Sequence, residues 1–382
     1  MGIGIVSTYP PRRCGLATVA WHLRRALVAA GEPEVPVVAM VKDPGDIGTG
    51  PEILMPLRHH VKQDYLAAAE RLNAAPVDAV ILQHEFGIFG GPAGSLVHLL
   101  LAHLRKPVLT VFHTVLDDPP KLLATALRQV AAYSARVVAL SHRDRNLLCS
   151  RHRLPADRVE TISLGVPAPP PGNPEEWKAR LGLSGRTVAM TFGLLGPGKG
   201  LETALEAVGR VAPSHPDLVY LVVGATHPDV RRLRGERYRE YLQAEARNLG
   251  LGDQVRFVDR YLEEEELLGY LLATDIYITP YPQKGRGVSL TTLYAAGLGK
   301  AILTTPFDYA QELLGDGAGW MVPFGDPQAM AQALAALARD PLARAALGAA
   351  ARARTRGLAW SDIGRRYLAL ARSVVHGPPQ QP

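Results

Sequence analysis

Cysteine is nearly missing from this chain of 382 residues: Cys14 and Cys149 are the full complement. Two thiols cannot build a disulfide framework or a thiolate metal cluster, and such scarcity points to a reducing, cytoplasmic compartment. Aromatic residues make up 6% of the chain against 47% hydrophobic overall, so its cores must be largely aliphatic. That much apolar content excludes intrinsic disorder over most of the length. No run approaches the roughly 20 apolar residues needed to span a bilayer. Met1 to Pro10 lacks the basic start and apolar core of a signal peptide and is expected to begin a buried strand instead. Runs of five or six like charges are also missing, which argues against a nucleic-acid partner. The net charge of +6 is spread over 34 Arg and 8 Lys among 36 acidic residues. A mildly basic surface suits anionic small molecules or acidic lipid head groups, and an arginine-rich compositional bias explains it equally well.

What is present is alternation. Short β-branched runs alternate with longer helical patterns in both halves, the signature of parallel sheets covered by helices. The expected architecture is α/β, with two doubly wound Rossmann-like domains. The proline-dense stretch Pro167–Pro174 is expected to be a stiff linker between them. This places a first domain at 1–170, a second at 175–358 and a terminal helix at 359–376, followed by a disordered tail at 376–382. One long helix is expected over Val230–Asn248. Ligands of such folds bind at the carboxyl ends of the strands, so two halves joined by a hinge would place a cleft there.

Four loops at those strand ends carry the chemistry. The first, Thr8 to Thr18, brings Gly15 to a helix start, where free backbone amides favour an anion or a sugar oxygen. It is not a G-x-G-x-x-G pattern, and Cys14 within it has no local histidine partner, so a structural role is expected for the thiol. The second, Gln83-His84-Glu85-Phe86-Gly87 through Gly91, joins polar side chains to aromatic residues and three glycines. His113 directly follows a buried strand, where an imidazole can hydrogen-bond a hydroxyl or transfer a proton. The third, Phe192 to Gly200, offers glycine amides, a helix start and Lys199 as a phosphate cradle, although Gly200 stands where the Walker pattern needs Ser or Thr. The fourth, Lys284 to Thr292, adds Arg286 and the hydroxyls of Ser289 and Thr291 before another helix. No His, Cys, Asp and Glu cluster has metal-ligand spacing, so no metal and no cofactor are expected. The acidic run Glu263–Glu266 is expected to be a helix start.

In their order along the chain these segments resemble the retaining, nucleotide-sugar-dependent glycosyltransferases of family 4, with the two-domain GT-B fold and its interdomain cleft. The resemblance runs from the Gly15 loop through Lys199-Gly200, Thr274-Asp275-Ile-Tyr-Ile-Thr-Pro280 and Ala296-Gly-Leu-Gly-Lys-Ala-Ile302. It continues through Glu312-Leu-Leu-Gly-Asp-Gly-Ala-Gly319 to a helix after Trp360. More narrowly, Arg12-Arg-Cys-Gly-Leu-Ala-Thr18 with His84-Glu-Phe-Gly-Ile-Phe-Gly-Gly91 is similar to a bacterial subgroup that includes mannosyl- and glucosyltransferases. The resemblance implies a metal-independent hexosyl transfer from a nucleotide diphosphate sugar, GDP-mannose being the preferred donor, to a carbohydrate or lipid-linked hydroxyl. A cytoplasmic site peripheral to the inner face of the membrane would fit it. Carried over by position, Lys199, Gly193, Leu194 and Gly15 would meet the donor phosphates, and His113 the reacting sugar. Val258 and Asp259 would bracket the nucleobase, and Glu312 would lie near the donor. Arg286 and Tyr294 stand where the family has two glutamates, and Leu194 where it has an arginine; Arg286 is expected to supply the charge that Leu194 does not. His113 and Glu85 are then the candidate catalytic residues, with His84 and Phe86 on the acceptor side. A nucleotide-sugar-binding protein without transferase activity, and another GT-B enzyme such as an epimerase or phosphorylase, fit the same residues.

Overall fold

The computed structural model describes residues 1–376, so the expected tail lies outside the described residues apart from the exposed His376. The chain forms two compact units, Met1–Gly165 together with the stretch from Gly357 onward, and Val166–Arg356.

In the first unit, β1 (Ile3–Ser7), β2 (Val37–Val41), β3 (Ile53–Arg58), β4 (Ala79–His84), β5 (Val108–Phe112), β6 (Arg136–Ala139) and β7 (Val159–Thr161) make one sheet. Its order is β3-β2-β1-β4-β5-β6-β7 with every neighbouring pair parallel. All residues of β1, β2, β4 and β5 are buried, which is why these segments read as continuous apolar runs with little alternation. Helices α1 (Gly15–Ala29), α2 (Lys62–Ala74), α3 (Val97–His103), α4 (Lys121–Tyr133) and α5 (His142–Ser150) supply the crossovers. The sequence pattern predicts no strand at 53–58, yet β3 forms there, half-exposed and carrying Pro56. Only an edge strand tolerates a proline, because one side of its backbone has no ladder partner.

In the second unit, β8 (Thr187–Phe192), β9 (Leu218–Val223), β10 (Val255–Val258), β11 (Ile276–Thr279), β12 (Ala301–Thr304) and β13 (Trp320–Met321) form a parallel sheet in the order β10-β9-β8-β11-β12-β13. Its helices are α6 (Pro174–Arg180), α7 (Leu201–Val211), α8 (Pro228–Arg234), α9 (Arg237–Asn248), α10 (Glu264–Ala273), α11 (Leu290–Gly297), α12 (Asp308–Leu314), α13 (Pro327–Arg339) and α14 (Pro341–Ala353). The single helix expected over Val230–Asn248 is two. Gly235 adopts φ +62 between them, a left-handed conformation that ends α8 before α9 begins. The proline-dense stretch passes directly into α6, which starts at Pro174 after an Asn173 cap, and Trp177 Nε1 donates to the Pro171 carbonyl at 2.8 Å. In α7, Leu201, Ala204, Leu205, Val208 and Val211 form the buried stripe expected of a helix covering a sheet.

The last helix, α15 (Trp360–Val375), belongs to the first unit and packs on α1. His22 stacks on Trp360 with ring centroids 5.0 Å apart. The approach of the two helices is set by Gly364, where an added Cβ would lie 2.6 Å from the Ala26 carbonyl oxygen. Gly364→Val is therefore expected to lower the stability of the first unit by about 1–3 kcal/mol through overpacking, read as a lower midpoint in urea unfolding.

Candidate functional site

In each sheet the strand order reverses once, between β1 and β4 in the first unit and between β8 and β11 in the second. Loops leaving the carboxyl ends of strands on either side of such a switch point diverge and open a crevice for ligands.

At the second switch point, the loop after β8 carries Gly193 to Gly200 and the loop after β11 carries Pro280 to Ser289. They meet closely. A Cβ on Gly200, whose φ is +73, would sit 1.8 Å from the Pro280 carbonyl oxygen, so only glycine fits there. Arg286 Nη2 donates to the Gly198 carbonyl at 2.7 Å and ties the loops together. Tyr281, buried at the end of β11, has Lys199 Nζ 5.3 Å and Arg286 Cζ 4.3 Å from its ring centroid. Neither cation pairs with a carboxylate among the described residues. Ser289 caps α11 by accepting from Thr292 N at 3.4 Å, and its hydroxyl lies 3.2 Å from Thr291 Oγ1 and 2.9 Å from Thr292 Oγ1. A shallow recess open to solvent is lined by Gly193, Leu194 and Lys199 among others. Leu195 N donates to Ala225 O at 2.9 Å and His227 N to Leu195 O at 2.8 Å, so the β8 loop is pinned to the chain following β9.

The structure thus brings Gly193, Leu194, Lys199, Arg286, Ser289 and Thr291 into one cluster of amides, hydroxyls and two cations. Val258 lies at the neighbouring edge: its carbonyl accepts from Gly224 N at 3.0 Å, and Gly224 in turn backs onto the Gly193 carbonyl. Asp259 pairs with the buried Arg239 at 2.7 Å. Tyr294 points into the interior from α11 and is 2% exposed. Glu312 is exposed on α12. Sequence reasoning passes over Tyr281; its signal is an aromatic residue directly after Pro280 at a buried strand end.

At the first switch point, Gly15 is the exposed first residue of α1, capped by the Cys14 sulfur accepting from Ala17 N at 3.4 Å. Beyond β4, Glu85 Oε1 accepts from Phe86 N at 2.9 Å and Oε2 from Thr114 Oγ1 at 2.5 Å. Burial pushes the Glu85 carboxyl above the ordinary range against those two hydrogen bonds. His113 follows β5; its backbone N donates to the His84 carbonyl at 3.0 Å, and its Nε2 meets Gln83 Oε1 at 2.5 Å. Burial pushes the His113 imidazole down to about 4, so it is neutral at pH 7. His84 is 1% exposed, its ring 5.1 Å from Phe86 and from Phe112 and 5.8 Å from Phe89. Burial first, then the nearby His113 and His98, push it down to about 3. Gln83 and Thr114, which orient His113 and Glu85, are further residues that the sequence does not single out. Among the described residues no three His, Cys, Asp or Glu side chains converge to hold a metal ion, and no helix is long and apolar enough to cross a membrane.

Residues 14–168 match the family described as Glycosyltransferase Family 4, and residues 173–354 match that described as Glycosyl transferases group 1. A D-inositol 3-phosphate glycosyltransferase of Frankia alni is 28% identical over 260 residues, or 66% of this chain and 61% of the relative. A phosphatidyl-myo-inositol mannosyltransferase of Mycolicibacterium smegmatis is 24% identical over 361 residues, 86% of each chain. The chain spans 61% and 63% of the lengths of the Frankia alni relative and a similar one from Catenulispora acidiphila. Among solved structures, Anabaena Alr3699/HepE in complex with UDP and glucose superposes with a TM-score of 0.76 at 15% identity, covering 98% of this chain and 100% of that one. WaaG, a glycosyltransferase involved in lipopolysaccharide biosynthesis, does so with a TM-score of 0.68 at 16% identity, covering 99% and 100%. At such identities the likeness establishes the fold of two parallel-sheet Rossmann-like domains.

His84 makes stability depend on pH. Its folded pKa lies below the unfolded value of about 6.5, so the unfolded chain binds the proton more tightly. Stability is therefore full above about pH 6.5 and falls as pH drops toward 3. His84→Phe should flatten that fall by up to about 1.4 kcal/mol per pH unit, measured by urea unfolding between neutral and acid pH.

Proposed function

Because this chain belongs to glycosyltransferase family 4, we propose that it moves a hexosyl group, mannosyl or glucosyl, from a nucleotide diphosphate sugar to a hydroxyl acceptor, with retention of configuration and without a metal ion. The observation that carries this reading is the pair of cations at the second switch point: Lys199 and Arg286 lie against one ring and have no carboxylate partner among the described residues. A diphosphate is the ligand whose charge and length answer two such cations, the hydroxyls of Ser289 and Thr291 and the amides of the Gly193–Gly200 loop.

In the proposed reaction the bond between the anomeric carbon and the diphosphate oxygen breaks, and the acceptor oxygen bonds to the same face of the sugar. The acceptor proton passes to the departing diphosphate oxygen, whose growing charge is met by Lys199, Arg286 and the amino terminus of α7. Gly193, Leu194 and Gly15 would contribute backbone to the donor, and Val258 and Asp259 would flank the base. Glu312 would act from the donor's outer side, whereas Tyr294, turned inward, would support α11 without touching the donor. His113, held neutral, would act as a hydrogen-bonding group to the sugar, because desolvation disfavours its charged form. Glu85 would orient the acceptor hydroxyl, with His84 and Phe86 shaping the acceptor side. Relatives whose names include inositol phosphate and phosphatidylinositol support an anionic or lipid-linked acceptor, and with it a cytoplasmic location at the membrane's inner face.

A thermal-shift screen of UDP-, GDP- and ADP-sugars tests the donor. A ligand at about 100 times its dissociation constant adds about 2.7 kcal/mol to stability, and no shift with any of them would remove the reading. Arg286→Ala should weaken donor binding by about 10- to 100-fold, the loss expected for a charge-assisted hydrogen bond of about 1.5–3 kcal/mol. Turnover should persist in EDTA, and NMR of the product should show the donor's own anomeric configuration; an inverted product would refute retention.

A further inference from the structure

We propose that Tyr281 is a positioning residue of the anion cradle: its ring gathers Lys199 and Arg286 before any ligand arrives and so sets the preference of the site for a diphosphate over a monophosphate. The proposal rests on reading the second unit as the donor site.

Two like charges without a carboxylate partner repel, and both belong to long side chains that gain entropy by extending into solvent. Something must hold them. The Arg286 side chain donates to the Gly198 carbonyl, and Lys199 lies against the same ring that Arg286 does. The negative π-cloud of a tyrosine attracts both cations without neutralising them, as a carboxylate would. An ion pair in that place would have to be broken before phosphate could bind.

The ring itself is fixed from several sides. Tyr281 is 6% exposed, and the fully buried Phe307 packs against it with centroids 4.9 Å apart. Thr305 Oγ1 donates to its carbonyl at 2.6 Å, and its hydroxyl lies 3.4 Å from Ser289 Oγ, at the cap of α11. The end of β11, the loop after β12 and the start of α11 therefore converge on one side chain. The phenol reflects how close the cations are: burial pushes it up, yet Lys199, the Ser289 hydroxyl and Arg286 together bring it below its ordinary range.

A preformed cation pair lowers the ordering cost of binding for a ligand that engages both charges. A diphosphate, being longer and more highly charged, engages both cations more fully than a monophosphate does. Removing the ring should therefore fall on the diphosphate.

The test compares binding by calorimetry of UDP, GDP and ADP with that of their monophosphates, and of inorganic pyrophosphate with phosphate, to the full chain. Tyr281→Leu should lower diphosphate and pyrophosphate affinity by about tenfold while monophosphate and phosphate change by less than about twofold. Tyr281→Phe, which keeps the ring and loses the hydroxyl, should rescue the ratio. Equal losses for both ligand classes, an unchanged ratio in Tyr281→Leu, or a loss in Tyr281→Phe as large as in Tyr281→Leu would each overturn the proposal. Should circular dichroism show that Tyr281→Leu does not fold, Tyr281→Met takes its place against the same rescue. If the wild-type chain binds pyrophosphate but no nucleoside diphosphate, the donor-site reading fails, while the pyrophosphate comparison still decides the role of Tyr281.

Discussion

Two positive charges held without a carboxylate partner among the described residues, Lys199 and Arg286, are the constraint around which the second unit's ligand edge is arranged. A backbone carbonyl and a π-face can fix the position of such charges without neutralising them. The Gly198 carbonyl and the Tyr281 ring do so here, and both must be held in place by backbone that passes very close to itself. That closeness is possible because Gly200 has no side chain where the Pro280 carbonyl lies. The parallel order of the sheet is the deeper cause. Only at the reversal between β8 and β11 do two loops leave neighbouring strands and face one another across an open edge.

The first unit handles its polar groups in the opposite way. At its switch point the buried His84 and the half-buried His113 and Glu85 are driven toward neutrality: the two histidines lose proton affinity, and Glu85 gains it. Gln83 and Thr114 then serve as partners that orient neutral groups. A diphosphate leaving with negative charge suits the cationic edge of the second unit. A sugar or acceptor hydroxyl, which is neutral, suits the edge of the first. The proposed division of labour between the units follows from this difference in electrostatics.

Much of the fold was legible because buried parallel strands are apolar along their whole length and the helices between them carry a periodic stripe. Every residue of β5, β9, β11 and β12 is buried, and α7 carries such a stripe. The failures share a cause: local signals were weak or were outranked by context. β3 carries a proline and little alternation, and it exists because β2 offers it a free edge. Gly235 reads as one tolerable glycine in a helical pattern, but its left-handed backbone divides α8 from α9.

The order of glycine loops, Lys199, Arg286 and the hydroxyls near Ser289 could be read along the chain, because each motif is local and the backbone chemistry of a loop before a helix is local too. That is what the sequence by itself determined: two doubly wound α/β halves, the loops that carry polar groups, and the family they resemble. Only tertiary structure decided which of those groups meet. Arg286 reaches Gly198 across 88 positions of chain, Tyr281 lies against both cations, and Tyr294 turns inward while Glu312 is exposed. The reason is physical: the direction of a side chain at a strand end depends on the packing of neighbouring strands and helices, and that packing is set by residues far away in sequence.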